Sequence, residues 1–418
     1  MAEPENSKAG GRAAFRYPSF VLFQTARFGI VLATEMQSVA VGWQVYEITK
    51  RPLDLGLVGL AQFLPGILLF LVSGHVADRY DRRKLIVVCY AGFALCCALL
   101  LVTAVREVRT VSYIFAILVL LGVVRSFNGP VSRAFLPQLV PEEHFPNAVA
   151  WASTTFQGAA ILGPALGGII YALFRGPGAV YGLAAAMACG AIFCVAKIKI
   201  REKPRAREPV NPRTVLAGLR YIWREKLILG SISLDLFAVF LGGAVALLPV
   251  YAREILLTGP WGLGLLRAAP GVGAAVMAVF LAHRPFQRKV GLIMLWCVAG
   301  FGAFTILFGL SRSLTLSLIA LFFVGATDMV SVIVRGILIQ VATPDEMRGR
   351  VNAVDMVFIG ASNEFGEFES GLTAQWFGTI PAVVLGGIGT IVVTAIWAWR
   401  FPELRKVEQV HTLPTRAA

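Results

Sequence analysis

Long apolar segments joined by short polar connections make up most of this chain. A helix needs ~20 mostly apolar residues to cross the ~30 Å hydrocarbon layer of a bilayer. The segments that meet this length are 19–47, 53–77, 84–105, 112–134, 147–174, 178–198, 227–255, 261–283, 289–311, 314–340, 351–377 and 380–400. The pattern predicts an all-α polytopic membrane protein with about twelve transmembrane helices.

The second half of this pattern repeats the first. Pro65-Gly66 recurs as Pro270-Gly271, and Asn147-Ala148-Val149 recurs at the same offset as Asn352-Ala353-Val354. Such a repeat indicates two pseudo-symmetric six-helix bundles, related by an axis along the membrane normal. The predicted organisation is a cytoplasmic N-terminal segment at 1–18, bundles at 19–198 and 227–400, a cytoplasmic linker at 199–226 and a cytoplasmic tail at 401–418.

The composition excludes a soluble globular protein and the charge pattern orients the chain. The residues are 57% hydrophobic and only 15% charged, so an ordinary core could not hide the apolar surface from water. The net charge of +14 is concentrated in alternate connections, at 79–84, 197–213 and 284–289. This is the positive-inside pattern rather than a nucleic-acid surface, and it predicts that both termini and the linker are cytoplasmic.

Residues for catalysis or metal binding do not cluster in the sequence. The four histidines are scattered, no phosphate-binding G-x-x-x-x-G-K-S/T loop occurs, and the six cysteines lie in apolar segments. We interpret the cysteines as small buried hydrophobic residues. The polar N-terminal segment lacks the apolar stretch of a signal peptide. We therefore expect no enzyme, no catalytic residues, no metal and no cofactor.

The connection after the second predicted helix carries a polar motif. Residues 74–84 read GHVADRYDRRK and resemble the motif G-x-L-a-D-R-x-G-R-R/K of the major facilitator superfamily, with Val76 for leucine and Asp81 for glycine. The resemblance implies the twelve-helix fold of that superfamily and a charge-assisted latch on the cytoplasmic side. The implied latch residues are Gly74, Asp78, Arg79, Arg82 and Arg83. The alternative is a basic loop that only obeys the positive-inside rule.

The fifth predicted helix contains a run of small residues around a proline. The run Gly163-Pro164-Ala165-Leu166-Gly167-Gly168 is similar to the G-P-x-x-G-G motif of antiporters in the superfamily. Proline removes one backbone hydrogen bond, and glycines let another helix approach closely. The predicted motif residues are Gly163, Pro164, Gly167 and Gly168. Ordinary small-residue packing is the alternative.

Ionisable side chains inside the predicted spans are functional candidates, because each costs ~2.5–3.5 kcal/mol at a helix centre on insertion scales. Arg125 begins a stretch similar to the superfamily's R-x-x-Q-G motif, whose arginine is associated with proton coupling. The further candidates for the proton-coupling or substrate cavity are Arg27, Asp235, Asp328, Glu364 and Glu367. We expect these carboxylates to exchange protons. A nearby arginine such as Arg125 would favour their ionised form. Each could instead belong to a structural ion pair.

Three further stretches extend the resemblance, which covers residues from about Phe20 to Arg400. These are 234–237, 264–270 and the polar segment 362–371. They resemble the branch of the superfamily that contains enterobactin exporters, secretion transporters and drug-efflux proteins. The resemblance implies proton-coupled export of a siderophore or another small amphiphilic compound by alternating access.

The expected partners are the lipid bilayer of the plasma (inner) membrane, protons and a small-molecule substrate, with no nucleic acid. We expect a monomer. Three other interpretations remain open at this point. They are a proton-coupled importer, a membrane receptor or scaffold that does not transport, and a membrane-embedded enzyme.

Overall fold

The computed structural model describes residues 11–199, 212–284, 286 and 288–407, which fold mainly as α-helices. The first half contains α1 (Pro18–Thr49), α2 (Pro52–Leu68), α3 (Phe70–Arg79), α4 (Arg82–Val105), α5 (Val111–Phe135), α6 (Phe145–Leu173) and α7 (Gly178–Ala196). The second half contains α8 (Pro212–Arg224), α9 (Lys226–Gly242), α10 (Leu248–Val250), α11 (Gly259–His283), α12 (Val290–Leu310), α13 (Leu314–Ala342), α14 (Asp345–Phe377), α15 (Thr379–Arg400) and α16 (Pro402–Arg405). The predicted all-α class is confirmed.

Nine helical segments of the described residues are long and apolar enough to cross a membrane. The other three predicted spans are also helical. They correspond to α1, to α2 with α3, and to α14. Two of them, α1 and α14, carry many polar side chains, and the third is interrupted at Leu69, four residues after Pro65. These departures from uniform hydropathy fall on the segments where the sequence predicted functional residues.

The seventh predicted span is also irregular. Its first part, α9, ends at Gly242, and the backbone leaves the helical region at Gly243 (φ −69°, ψ 52°). A 3₁₀ turn at Ala244–Leu247, the short α10 and a π-helical turn at Tyr251–Ile255 complete it. Two consecutive glycines followed by Pro249 explain the break, because neither residue type favours a helix interior.

Part of the predicted linker forms a helix. Residues 200–211 lie outside the described residues, as do 1–10 and 408–418 of the predicted terminal segments. In the described part, α8 packs against α14 so closely that a methyl group on Gly218 would lie 2.8 Å from the carbonyl oxygen of Arg350. The Tyr221 hydroxyl donates a hydrogen bond to the carbonyl of Ala342 at the end of α13 (3.0 Å). These contacts join α8 to the ends of two longer helices.

The chain divides into two compact units. The first consists of Met1–Ala40 and Leu64–Pro209, and the second of Val41–Phe63 and Val210–Ala418. The division follows the predicted linker, except that the segment from the end of α1 to the middle of α2 belongs to the second unit. The predicted boundaries of the bundles, the linker and the terminal segments stay a prediction.

In the first unit, α4 packs against α5 and α7 around buried aromatic side chains that include Tyr90 and Tyr181. Three of the cysteines, Cys89, Cys96 and Cys97, are buried as the sequence predicted. The prediction is wrong for Cys189, which is exposed on the surface of the unit. An apolar helix surface suits lipid as well as a protein core, so hydropathy alone does not distinguish the two.

In the second unit, α11 and α13 cross at two glycines. A methyl group on Gly325 would overlap the carbonyl of Pro270, and one on Gly273 would overlap the carbonyl of Phe322. Small residues at a crossing allow the backbones of two helices to touch. This contact positions α13, which carries Asp328, one of the ionisable residues predicted to be functional.

Candidate functional site

A buried arginine in the second unit is surrounded by carboxylates. Arg335 of α13 forms an ion pair with Asp235 of α9, and its Nε lies 3.5 Å from Oδ1 of Asp355 on α14. Arg335 is 2% exposed and Asp235 is 6% exposed. Charges buried to this extent are stable only when paired. The arginine therefore links three helices through opposite charge.

Asp328 adds a third carboxylate to this cluster. It precedes Arg335 on α13 by about two helical turns, and it interacts electrostatically with both Asp235 and Arg335. When all four groups are ionised, the cluster has one positive charge and three negative charges. Burial disfavours such an excess of negative charge. We call these four residues the charge cluster.

A cavity of about 180 Å³ lies within the second unit beside Asp328. Its wall is formed mainly by apolar and small side chains of α9 and of α11 to α14, while Asp328, Glu367 and Asn363 contribute polar atoms. Cavities of this kind, apolar with a few polar groups, are typical of sites for small molecules. The cavity connects two of the acidic residues that the sequence predicted to be functional.

Two further carboxylates converge on a glycine. A methyl group on Gly59 of α2 would lie 2.9 Å from Oε2 of Glu364 and 2.9 Å from Oε2 of Glu367. The two oxygens are therefore within about 6 Å of each other, close enough for their negative charges to repel. The sequence predicted that both glutamates project from one face of their helix, and the structure places them together at this point.

Hydrogen bonds to α15 position the helix that carries Asp235. The indole Nε1 of Trp397 donates to Ser233 Oγ (2.9 Å), and the Thr390 hydroxyl donates to the carbonyl of Ala238 (3.0 Å). These bonds lie on either side of Asp235 along α9. They restrain the aspartate on a rigid element, which a buried ion pair requires.

The remaining cavity candidates lie in the first unit. Arg27 of α1 is half-buried, and its guanidinium carbon lies 5.9 Å from the centroid of the Phe156 ring. Arg125 of α5 is exposed in the same unit. The arginine that pairs with Asp235 is Arg335, which sequence reasoning did not include among the site residues.

The predicted latch residues lie at the ends of α3 and α4. Arg82 is buried and donates to the carbonyls of Ala77 (3.4 Å) and Ala134 (3.1 Å). Arg83 donates to the carbonyl of Ala196 at the end of α7. Both arginines thus bind carbonyls of their own unit at or near helix C-termini, a favourable place for a cation. The side chain of Asp78 lies outside the described residues, so its latch role stays a prediction.

The other members of this connection have simpler environments. Gly74 is half-buried on α3, and Arg79 is exposed at the end of that helix. Asp81 replaces the glycine of the superfamily motif. It caps α4, because its carboxylate accepts a hydrogen bond from the backbone N–H of Arg83 (2.9 Å). The departure from the motif therefore supplies a helix cap.

The antiporter-like run on α6 packs against α1. A methyl group on Gly163 would lie 3.0 Å from the carbonyl of Leu32, and one on Gly167 would lie 2.8 Å from Cα of Met36. Pro164 and Gly168 are also buried. The run thus forms a close helix contact inside the first unit; its role in antiport stays a prediction.

A second polar contact involves the end of α1. The Tyr46 hydroxyl donates to Glu254 Oε1 (2.5 Å), and Arg253 Nη1 lies 3.4 Å from Glu47 Oε1. These residues join the segment before α2 to the π-helical turn that follows α10, within the second unit. Sequence reasoning missed this contact, because each residue alone resembles a solvated charge near a helix end.

Sequence reasoning also left Arg335 and Asp355 out of the candidate site. Both are ionisable residues inside predicted spans, and that property was the available signal. Their spacing along the chain does not indicate that they meet, since α13 and α14 are joined by a sharp connection whose geometry the sequence does not specify. The structure brings Asp235 and Asp328 into one cluster with them.

Comparison with protein families gives a match over nearly the whole chain. Residues 9–417 match the family described as transmembrane secretion effector. The enterobactin exporter EntS of Citrobacter koseri is 27% identical over 413 residues, which cover 96% of each chain. The uncharacterized MFS-type transporter YfiS of Bacillus subtilis is 26% identical and covers 84% of this chain and 85% of its own.

Solved structures share the fold at much lower identity. A peptide transporter, POT, superposes with a TM-score of 0.73 at 12% identity and covers 94% of this chain and 96% of its own. A bacterial homologue of the human lysosomal transporter Spinster superposes with a TM-score of 0.71 at 13% identity, over 93% of this chain and 98% of its own. At these identities the likeness shows the fold alone.

Proposed function

Because the chain belongs to the transmembrane secretion effector family, a branch of the major facilitator superfamily, we propose that it exports a small amphiphilic compound in exchange for protons. The family and its relatives are transporters rather than enzymes, so the chain is a secondary transporter. The coupling to protons, the class of substrate and the direction of transport are proposed. The observation that carries the proposal is the buried charge cluster, with three carboxylates around one arginine.

The cluster supports a switch operated by protons. Without a proton, Asp235 and Asp355 hold Arg335 between α9, α13 and α14. Protonation of either aspartate removes one attraction, which changes the relative free energies of two arrangements of these helices. A proton shifts the equilibrium between the two arrangements only if it binds one of them more tightly than the other. Removal of one charge from a buried ion pair has a large energetic effect, because the remaining charge is left without its partner.

The similarity to EntS supports a siderophore as one substrate class. EntS is an enterobactin exporter, and the antiporter-like run on α6 favours exchange over import. The cavity beside Asp328 supports a site for a small molecule in the second unit.

We also propose an orientation of the chain in the membrane and two gating contacts. Both termini and the linker are cytoplasmic in the plasma membrane, as the alternating basic connections indicate. Asp78 with the arginines at 79, 82 and 83 stabilises one conformation at the cytoplasmic side. The contact of Tyr46 with Glu254 and of Glu47 with Arg253 is the corresponding candidate at the other end of α1.

Transport in proteoliposomes tests the proposal. The full-length protein is reconstituted with a pH-sensitive dye inside, and enterobactin and a panel of amphiphilic drugs serve as probes. An antiporter accumulates the probe when the lumen is more acidic than the bath, whereas a symporter needs the opposite gradient. Proton movement that accompanies the probe supports exchange. If the uptake of every transported probe is independent of the pH gradient, proton coupling is rejected.

We expect neutral substitutions of two carboxylates to uncouple transport. Asp235→Asn and Glu367→Gln should each lower proton-driven transport by about tenfold or more, with a smaller effect on probe binding, because the amides keep shape and lose the exchangeable charge. Glu369→Gln is the control, since Glu369 accepts a hydrogen bond from Thr373 away from the charge cluster. Intact pH-dependent transport in both variants would assign these carboxylates a structural role.

We expect Gly59→Ala to disturb the glutamate pair without unfolding the protein. The added methyl group would come closer than ordinary van der Waals contact to the carboxylate ends of two flexible side chains, Glu364 and Glu367, which can move away. Their displacement should reduce proton-driven transport by severalfold while the thermal unfolding midpoint changes little. Gly66→Ala on the same helix is the matched control, because a methyl group there meets nothing within 4 Å. Equal transport by the two variants would show that the pair is not involved.

A further inference from the structure

Two buried oxygen atoms beside Arg335 lack a hydrogen-bond partner among the described residues. Ser331 is 1% exposed, and its Oγ has no hydrogen-bond partner in the part of the chain that the structure describes. Asp355 Oδ1 is also buried, and its contact with Arg335 at 3.5 Å is an ion pair longer than a hydrogen bond. Buried polar atoms of native proteins are normally hydrogen-bonded to protein or to ordered water. These two atoms therefore indicate a place where water binds.

The spacing of residues along α13 puts this place between the cavity and the ion pairs of Arg335. Asp328, Ser331 and Arg335 are separated by three and four residues, so they lie on one face of the helix. Asp328 lines the cavity at one end of this row. Arg335, with its two aspartate partners, occupies the other end. Ser331 thus lies between a carboxylate that reaches the cavity and a buried ion-pair network.

We propose that Ser331 holds a water molecule that carries protons between Asp328 at the cavity and the Arg335-centred ion pairs. Asp328 is the entry group, because its side chain lines the cavity. The hydroxyl of Ser331 is a positioning group, able both to donate to the water and to accept from it. Asp235 and Asp355 are the final acceptors.

The proton is transferred from the cavity to the ion pairs without a co-reactant. Asp328 takes a proton from a hydronium ion in the cavity, which is left as a water molecule, and Arg335 stays protonated throughout. The proton then passes to the water at Ser331, which releases one of its own protons to Asp235 or Asp355. The carboxylate that receives it loses its negative charge, and its ion pair with Arg335 weakens. Reversal of the steps returns the proton to the cavity.

The charged groups that face this path come from three helices. They are Asp235 on α9, Asp328 and Arg335 on α13, and Asp355 on α14, with Glu367 of α14 across the cavity. A metal cation is disfavoured here because Arg335 already supplies a positive charge to two of the carboxylates. Water, which donates and accepts, suits an arginine, a hydroxyl and carboxylates together.

The inference rests on the proposed proton coupling, but it is tested without a substrate. The purified full-length protein is mixed rapidly with buffer of lower pH, and the infrared band of protonated carboxylic acids is followed in time. We expect Ser331→Ala to slow the appearance of this band by about tenfold or more. Ser331→Thr, which keeps the hydroxyl, should behave as the unmodified protein. Asp328→Asn should slow the change as well and reduce its amplitude.

The matched control is Ser317→Ala. Ser317 is also fully buried on α13, but its hydroxyl donates to Ser311 Oγ (3.0 Å), so its loss should leave the rate unchanged. Equal rates for Ser331→Ala and Ser317→Ala would overturn the inference, as would an unchanged rate in Asp328→Asn. A rate that depends on Ser331, in a protein that moves no protons with any transported probe, would keep the water path and reject the proposed exchange.

Discussion

Replacement of Arg335 by methionine should destabilise the protein by about 3–5 kcal/mol, because two buried carboxylates would lose their cation. Asp235 and Asp355 would then face each other's charge in a medium of low dielectric. The measurement is the thermal unfolding midpoint of detergent-purified protein at acidic and at alkaline pH. The loss should be smaller at acidic pH, since protonated aspartates no longer need the arginine.

Two further variants separate the effect of the lost ion pair from the effect of the lost side-chain volume. Arg335→Met combined with Asp235→Asn should recover part of the lost stability, because one of the unpaired charges is removed as well. Arg253→Met is the control, since the pair of Arg253 with Glu47 is partly exposed, with 28% and 48% of the two side chains accessible. Exposed pairs contribute about 0–1 kcal/mol. A loss in Arg335→Met no larger than in this control would contradict a buried, paired arginine.

Gly325→Ala should also reduce stability strongly, by about 1–3 kcal/mol or more. The added methyl group would overlap the carbonyl of Pro270 in the backbone of α11, and backbone cannot move aside as the end of a side chain can. The two helices would have to separate, with loss of the contacts along their crossing. We expect a lower yield of monodisperse protein and a lower unfolding midpoint.

Gly336→Ala is the control for this prediction. It lies on the same helix, and a methyl group there meets nothing within 4 Å. Alanine is favoured over glycine in a helix by about 0.5–1 kcal/mol, so this variant should be as stable as the unmodified protein or slightly more stable. Equal effects of the two substitutions would show that the glycine crossing of α11 and α13 is looser than described.

The membrane-spanning pattern could be predicted closely because it depends on local chemistry. The predicted span 178–198 corresponds to α7 (Gly178–Ala196), and the span 261–283 corresponds to α11 (Gly259–His283). A bilayer requires each crossing segment to satisfy its own backbone hydrogen bonds, so length and hydropathy are sufficient. The interruptions at Leu69 and Gly243 were not predicted, since a proline or a glycine pair is tolerated in many membrane helices.

The candidate site could be predicted only in part. Asp235 and Asp328 were recognised because any ionisable residue inside a span is costly. The same argument applied to Arg335 and Asp355, but it does not tell which charges meet. Burial, pairing and the orphaned hydroxyl of Ser331 depend on the way α9, α13 and α14 pack, which hydropathy does not report.

By itself, the sequence determined the class of protein, the number and approximate ends of its membrane-spanning segments and its family resemblance. These follow from interactions within one segment or between a segment and the bilayer. Only the tertiary structure decided that Arg335 is the partner of Asp235, that Glu364 and Glu367 meet at Gly59, and that Arg82 and Arg83 bind carbonyls of their own unit. The physical reason is that pairing energies fall steeply with distance, and distances between helices are set by packing along their whole length.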